Sequence, residues 1–509
     1  MKQAPHKPQS QEIELKLWLP NPDPSVLAKR LARTPVLARR KPSQQLLNNI
    51  YFDTPDQQLR QQQTALRLRC VDNGAGTKWL QTLKTGASAT SALSRRGEWE
   101  TPVAGARLER SALEATPWPE MDPDDRLFAS LVPCFATVFQ RTLWLVRRRD
   151  GGVVEVALDV GYLEADGRRA PICELELELK AGQPAALFDV ARDIAATVAV
   201  LPASQSKAER GFLLAQGDLH QPLGAQPPGL SAKLPAVVLA HLVLREMFTQ
   251  LTTNLNALRT SDDPELAHQA RVGWRRFKSG LQLFRKILAD TPPPSREALR
   301  PLLSCLSELR NLDVALTETL PPLAAAYAMG DGQRTQAWQA MMQALAQTTE
   351  IQRKAVRYAL QEPTVGACLL AITQWLESLP ATAKNAHVHK VALRHWAKRR
   401  VLRWNAQLAD AQQNANTPEG LHRIRILAKR LRYGTQALRD LLPSQLAKQC
   451  ARQATGLQTS IGATRDLSQA ALLVAQLALD RGMVEFLRGV AMGSDLASGP
   501  TGRSPTIPR

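Results

Sequence analysis

The sequence predicts a multidomain α+β chain, an antiparallel β-barrel with flanking helices followed by an all-α domain made of two repeats. Three observations predict this. In the first part, charged residues alternate strictly with apolar ones over short segments, which is the period of a strand. From Leu234 to about Met492 the strand signal stops, and long segments rich in Ala, Leu, Gln and Arg take over with a period of 3.6. Within that second part, two stretches repeat one another. At 509 residues the chain is too long for one core, and with 44% hydrophobic residues it can fill more than one.

The first element is Gln11 to Leu19. Glu12, Glu14 and Lys16 alternate with Ile13, Leu15 and Leu17, so a strand there carries every charge on one face. Pro20 and Pro22 break the run, and Asp23 is placed to cap a helix that starts at Pro24 and buries Leu27 and Leu31. Like charges at even spacing recur in Leu66-Arg67-Leu68-Arg69, in Lys78 and Lys84, in Glu98 and Glu100, and in Glu174, Glu176 and Glu178. Each such strand repels itself if unpaired. Carboxylate strands and cation strands facing each other across a lumen that holds metal ions and an anion relieve the repulsion, which implies a closed barrel with its apolar side turned outward. Residues 184–200 carry helical apolar spacing and are expected on that outer side, and Ser204 to Phe212 leads into another short helix.

Glu12-x-Glu14-x-Lys16, Tyr51-Phe52-Asp53-Thr54-Pro55, Leu66-Arg67-Leu68-Arg69 and the late Glu-x-Glu-x-Glu resemble, in order, the CYTH family of triphosphate tunnel metalloenzymes. The resemblance implies a barrel of about eight strands and a hydrolase acting on inorganic triphosphate, giving pyrophosphate and phosphate. Hard cations, Mg²⁺ or Mn²⁺, suit the carboxylates Glu12, Glu14, Glu174 and Glu176; by resemblance Asp159 is a further ligand. Arg67 and Arg69 match the family's Arg-x-Arg, and Lys84, Arg141 and Lys207 match its later basic positions, with Lys16 completing the substrate-binding set and Lys78 a further candidate. Glu12, Glu14, Lys16 and Glu176 are the expected catalytic residues. Thiamine triphosphate or nucleoside triphosphates as substrates, an adenylate cyclase, and a non-catalytic polyphosphate-binding scaffold remain open alternatives.

Charge is unevenly spread. Residues 1–215 hold 29 Lys and Arg against 25 Asp and Glu, which leaves 36 against 21 for the rest. The second half therefore calls for a polyanionic partner. Its repeat is HQARVGWRRFK at residues 268–278 and HRIRILAKRLR at residues 422–432, followed 42 and 43 residues after the histidine by Arg310-Asn311 and Arg465-Asp466. This resembles the CHAD domain, a histidine-containing helical domain often found beside CYTH domains. At about 100° per residue, His268, Arg271, Arg275 and Lys278 form one basic stripe and His422, Arg425, Lys429 and Arg432 a second, neither containing an acid. Inorganic polyphosphate is the expected partner. Nucleic acid is not expected, because the stripes lack interleaved aromatics.

The expected domains are 1–215 for the barrel, 216–233 for a Pro- and Gly-rich unstructured linker, 234–492 for the helices (repeats 234–380 and 381–492) and 493–509 for a disordered tail. Six scattered cysteines, Cys70, Cys134, Cys173, Cys305, Cys368 and Cys450, read as reduced core residues. With no signal-peptide pattern and no long apolar run, the protein is expected to be cytoplasmic, with no membrane partner.

Overall fold

Strand alternation becomes a ring because the first strand pairs along both edges. In the computed structural model, which describes residues 11–20, 23–86, 91–385, 393–413, 417–477 and 481–497, the strands are β1 (Gln11–Trp18), β2 (Ser43–Asp53), β3 (Thr64–Asp72), β4 (Thr77–Thr85), β5 (Leu93–Val103), β6 (Val132–Arg147), β7 (Val153–Ala165), β8 (Arg168–Ala181) and the short β9 (Leu201–Pro202). Their order is β5-β4-β3-β2-β6-β7-β8-β1-β9, and β1 also pairs with β5. Residues 11–15 of β1 lie against β5 and residues 14–18 against β8, both antiparallel, so eight strands close a barrel. Its odd-numbered β1 residues point outward: Leu15 and Leu17 pack with Leu27 and Leu31 of α1 (Pro24–Arg33) and with Leu187, Phe188 and Ile194 of α2 (Ala185–Ala195). Asp23 caps α1 by accepting from the Ser25 amide at 2.9 Å.

A third helix, α3 (Lys207–Gln216), packs on β6, β7 and β8. Its start is fixed by a capping box in which Ser206 and Glu209 satisfy each other's backbone amides. Phe212 joins Tyr51, Phe135 and Phe139 in an apolar cluster. Gly211 is required there, since a Cβ would come within 2.1 Å of the Phe135 ring.

The second half is helical: α4 (Ala236–Ala257), α5 (Pro264–Phe284), α6 (Arg300–Val314), α7 (Gly332–Leu360), α8 (Pro363–Asn385), α9 (Leu393–Gln413), α10 (Pro418–Ala437), α11 (Ser444–Gln476) and α12 (Arg481–Ala497), with shorter helical turns between them. The two sequence repeats occupy α5 and α10, and Arg310 and Arg465 sit on α6 and α11. Residues 217–235 contain no helix or strand. This connector is nonetheless tied down, contrary to an unstructured linker: Leu223 exchanges hydrogen bonds with the Asn254 side chain at 3.0 and 2.9 Å, and the Leu230 amide donates to Asp440 at 3.0 Å. At the other end α12 continues to Ala497, past the expected start of a disordered tail at 493, and residues 498–509 lie outside the described residues.

The two halves share their cores. Trp18, Leu201 and Ala203 are buried in the cluster formed by the helical half, and Leu370 of α8 is buried in the barrel's own cluster. Gly366 lets α8 approach the barrel backbone, because a Cβ would sit 2.1 Å from the Val200 carbonyl oxygen. All six cysteines are free, but only Cys368 and Cys450 are buried; the other four are half-buried, which corrects their reading as core residues. Among the described residues no helix is long and apolar enough to cross a membrane.

Candidate active site

The barrel encloses a cavity of about 1000 Å³. Its wall is charged because the even-numbered residues of β1, the odd-numbered residues of β3 and the even-numbered residues of β4, β5 and β8 turn inward together. Glu12, Glu14, Lys16, Arg67, Arg69, Lys84, Arg141, Glu176 and Lys207 all line it. Asp159 and Glu174 are fully buried directly behind Lys207, and each forms an ion pair with it. Lys78 is exposed and does not line the cavity, whereas Glu178 does, paired with Lys180 at 2.6 Å.

Three carboxylates converge on the β7–β8 wall. One oxygen each of Asp159, Glu174 and Glu176 lies within 4.8 Å of the others, close enough to share one cation. Glu14, opposite Glu178 on β1, is buried at 2% exposure. One oxygen of Glu14 meets the Lys16 ammonium at 3.1 Å and one of Glu174 lies 3.5 Å from the Arg210 guanidinium, so both buried carboxylates are already compensated by positive charge. The donor set, all carboxylate, fits a hard cation and not a soft metal.

Cations hold this acidic wall together. Lys207 contacts Asp159 at 2.6 Å and Glu176 at 2.8 Å, as well as Glu174. Lys16 contacts Glu176 at 2.7 Å and Glu14 at 3.1 Å. Arg141 forks onto both Asp159 oxygens at 2.7 Å and reaches Glu176 at 2.5 Å. Burial works against these charges, yet the neighbouring carboxylates win and hold Lys16, Lys207 and Arg141 above their ordinary values. The same pairs hold Asp159 and Glu176 below the usual carboxylate range against their burial. Glu14 goes the other way. Burial and the nearby Glu176 and Glu12 raise its carboxyl despite Lys16 and Arg96.

On the opposite side, Arg67 lies 3.4 Å from the Tyr51 hydroxyl and 3.5 Å from Glu98, and Arg69 donates to Asn49 at 2.8 Å. Burial and the proximity of Arg67 and Arg141 push Arg69 down to about 10. An arginine crowded by other cations favours an incoming anion. Lys84 bridges Glu12 at 3.0 Å and Glu98 at 2.9 Å.

Arg96 escaped the sequence reading. Its guanidinium spans Glu12 and Glu14, each at 2.7 Å, and so fixes both carboxylates of the first strand. The available signal was the even spacing of Arg96 with Glu98 and Glu100, which puts it on their inward face.

In the helical half, Arg271 and Arg275 from the first repeat and Arg425 and Lys429 from the second face one cluster, joined by Arg310 and Arg465. Burial and four of these arginines push Lys429 down to about 7, and burial with its arginine neighbours lowers Arg271 to about 10. Arg271 also donates to the Ser307 carbonyl at 2.6 Å. His268 is half-buried and feels Arg310, Glu265, Arg275 and Glu318, while His422 and Lys278 are exposed and Arg432 stacks 5.1 Å over Tyr433. The stripes contain no acid, but Glu265 acts on His268 from the same helix, and other helices add Glu318, paired with Arg310 at 2.8 Å, and Asp466 beside Arg425.

A closed barrel with clustered carboxylates facing a basic wall, fused to a helical domain that carries a basic cluster, defines a charged-lumen barrel protein. Residues 10–212 match the CYTH domain family and residues 242–475 the CHAD domain family. Over 205 residues it is 35% identical to an inorganic triphosphatase of Haemophilus influenzae (strain Rd), a match spanning 40% of this chain and 55% of that protein. The chain thus spans about half the length of that curated relative. The CHAD domain of the plant Ricinus communis superposes with a TM-score of 0.47 at 24% identity, covering 55% of this chain and 93% of that one. A candidate adenylyl cyclase from Hippeastrum with a dominant triphosphatase activity superposes with a TM-score of 0.28 at 19% identity, covering 41% and 97%.

Proposed function

We propose that the barrel hydrolyses inorganic triphosphate to pyrophosphate and phosphate with Mg²⁺ or Mn²⁺, and that the helical half binds polyphosphate. The observation that carries the first part is the convergence of Asp159, Glu174 and Glu176 within 4.8 Å, facing a lumen whose other wall holds Arg67, Arg69 and Lys84. Asp159, Glu174 and Glu176, with Glu12 and Glu14 from β1, are the residues that would hold the cation. Bound there, a divalent ion supplies positive charge against the phosphate oxygens and acidifies a water molecule.

The protein's own residues do the rest. Lys16, Lys207 and Arg141 are paired with the same carboxylates, so carboxylates engaged by a cation leave them free to turn toward phosphate. Arg67, Arg69 and Lys84 grip the distal phosphates and neutralise charge building on the leaving group. No covalent intermediate is needed. The six free cysteines suit a reducing cytoplasm.

The discriminating assay is phosphate release from inorganic triphosphate, ATP, thiamine triphosphate and pyrophosphate, each with Mg²⁺ or Mn²⁺. Fastest turnover of inorganic triphosphate supports the reading; faster turnover of ATP or thiamine triphosphate overturns the substrate assignment. Polyphosphate binding is supported by the basic cluster drawn from both repeats, whose crowding penalises each cation until an anion is present.

A further inference from the structure

Trp18 ends β1, two residues beyond Lys16, and two guanidiniums lie over its indole. Arg210 of α3 lies 4.1 Å from the ring centroid on the barrel side, and Arg259, just beyond α4 in the helical half, lies at 4.5 Å. Each cation is anchored to backbone on either side of the metal-competent wall. Arg210 donates to the Pro171 carbonyl of β8 at 2.7 Å, and Arg259 to the Leu19 carbonyl at 3.1 Å. The Leu19 amide in turn donates to the Cys173 carbonyl at 3.3 Å, one residue before Glu174.

The chain of contacts ends on Glu174. Nη1 of Arg210 lies 3.5 Å from Oε2 of Glu174, and both atoms are buried without a hydrogen-bond partner, as is Nε of Arg259. A fully buried carboxylate with one oxygen on Lys207 and the other facing only a near-miss guanidinium keeps its rotamer through packing. That packing is the stack of Trp18 with Arg210 and Arg259, and one of its three members comes from the other domain.

We propose that Arg259 is a positioning residue for the barrel's cation site, holding Glu174 in place through Trp18 and Arg210 so that the helical half completes the tunnel. The inference rests on the metal reading of the barrel given above. A planar guanidinium on an aromatic face is not replaced by an ammonium, which offers a point charge without a stacking plane. Arg259→Lys therefore tests position at constant charge.

The experiment is titration of the full-length protein with Mn²⁺ followed by electron paramagnetic resonance, beside Glu174→Gln, Arg259→Lys, Arg259→Gln and Asn256→Ala. Asn256 donates to the Pro202 carbonyl at 3.0 Å across the same domain boundary, and its contact with Arg259 is through the main chain, the Arg259 amide donating to the Asn256 carbonyl at 3.4 Å, which alanine keeps. Loss of a partner that orients a metal ligand costs about 10- to 100-fold in affinity. Wild type should bind Mn²⁺, Glu174→Gln should abolish binding, Arg259→Lys and Arg259→Gln should each weaken it about tenfold, and Asn256→Ala should match wild type. If Arg259→Lys proves unfolded, Trp18→Leu takes its place with the same expected loss. Wild-type affinity in the variant that folds overturns the proposal, as does an equal loss in Asn256→Ala, which would mark a general effect of domain docking. Tighter binding by Arg259→Gln with an unchanged Arg259→Lys also overturns it, because charge alone would then explain the data. A wild-type protein that binds no Mn²⁺ removes the metal reading and this inference together.

Discussion

Glu12→Gln and Glu14→Gln should both abolish turnover yet move stability in different directions. Glu12 accepts from Lys84 at 3.0 and 3.1 Å and from Arg96 at 2.7 Å, and these cations outweigh its burial to hold its carboxyl well below the usual range. Its charge therefore stabilises the barrel. In Glu12→Gln, Lys84 keeps Glu98 at 2.9 Å and Arg96 keeps Glu14 at 2.7 Å, so neither cation is orphaned. The loss is then the difference between charged and neutral acceptors, about 2 kcal/mol. For a barrel of this size that corresponds to a fall in Tm of about 4–8 °C. Glu14 is the reverse case, since burial and Glu176 make its ionised form unfavourable in the folded protein. Glu14→Gln should leave Tm within about 2 °C of wild type or raise it, because it removes a repelled charge. The pH dependence follows from the signs. Stability from the depressed Glu12 carboxyl is present above its unfolded value of 4.5 and fades as pH falls below that, so the gap between wild type and Glu12→Gln should close in acid. The elevated Glu14 carboxyl does the opposite: its cost appears as pH rises past 4.5. Differential scanning calorimetry at neutral and acid pH, paired with phosphate release, measures both. A Glu14→Gln protein that melts lower than Glu12→Gln, or either variant turning over triphosphate at the wild-type rate, would refute the assignment of the first strand.

Three further outcomes are expected. Polyphosphate affinity should rise as pH falls through about 7, because the bound polyanion favours the charged form of Lys429; Lys429→Arg should flatten that profile in a filter-binding titration. The pair Arg275→Glu with Lys429→Glu should abolish retention of long-chain polyphosphate at moderate salt, and wild-type binding should weaken steeply as salt is raised; equal binding by the double variant counts against the basic cluster. A fragment of residues 1–215 retains every proposed ligand and should hydrolyse triphosphate, but it lacks Arg259 and exposes Trp18 and Leu201, so its half-saturating Mn²⁺ should be about tenfold higher than that of the full chain.

The barrel was legible in the sequence because its signal is periodic. A two-residue repeat on a strand fixes which face a side chain takes, so Glu12, Glu14, Lys16, Arg67, Arg69, Lys84 and Glu176 reach one lumen whatever their neighbours are. Closure was legible for an electrostatic reason, since like-charged strands need opposite partners. What periodicity cannot supply is depth along the strand. Lys78 shares the parity of Lys84 but stands six residues nearer the β3–β4 turn and is exposed. Nor does it rank a residue such as Arg96: parity puts it inward with Glu98 and Glu100 and turns Arg95 away, but only the register of β5 against β1, with Arg96 opposite Glu12, shows which carboxylates it meets.

The helical half exposes a different limit. Helical periodicity predicts which residues share a face of one helix, but not what the neighbouring helices bring to that face. His268, Arg271, Arg275 and Lys278 do share a stripe, yet Lys278 is exposed while Arg271 turns into the carbonyl of Ser307 on α6. The cluster instead takes Arg271 and Arg275 from α5, Arg425 and Lys429 from α10, and Arg310 and Arg465 from helices that carry the second segment of each repeat. An internal repeat doubled in sequence thus becomes one basic cluster, because two copies of a basic face pack toward each other and each copy contributes its downstream arginine. Like charges brought together in this way destabilise the fold unless something offsets them. Glu318 and Asp466, invisible to any single-helix reading, supply part of that offset; a bound polyanion would supply the rest.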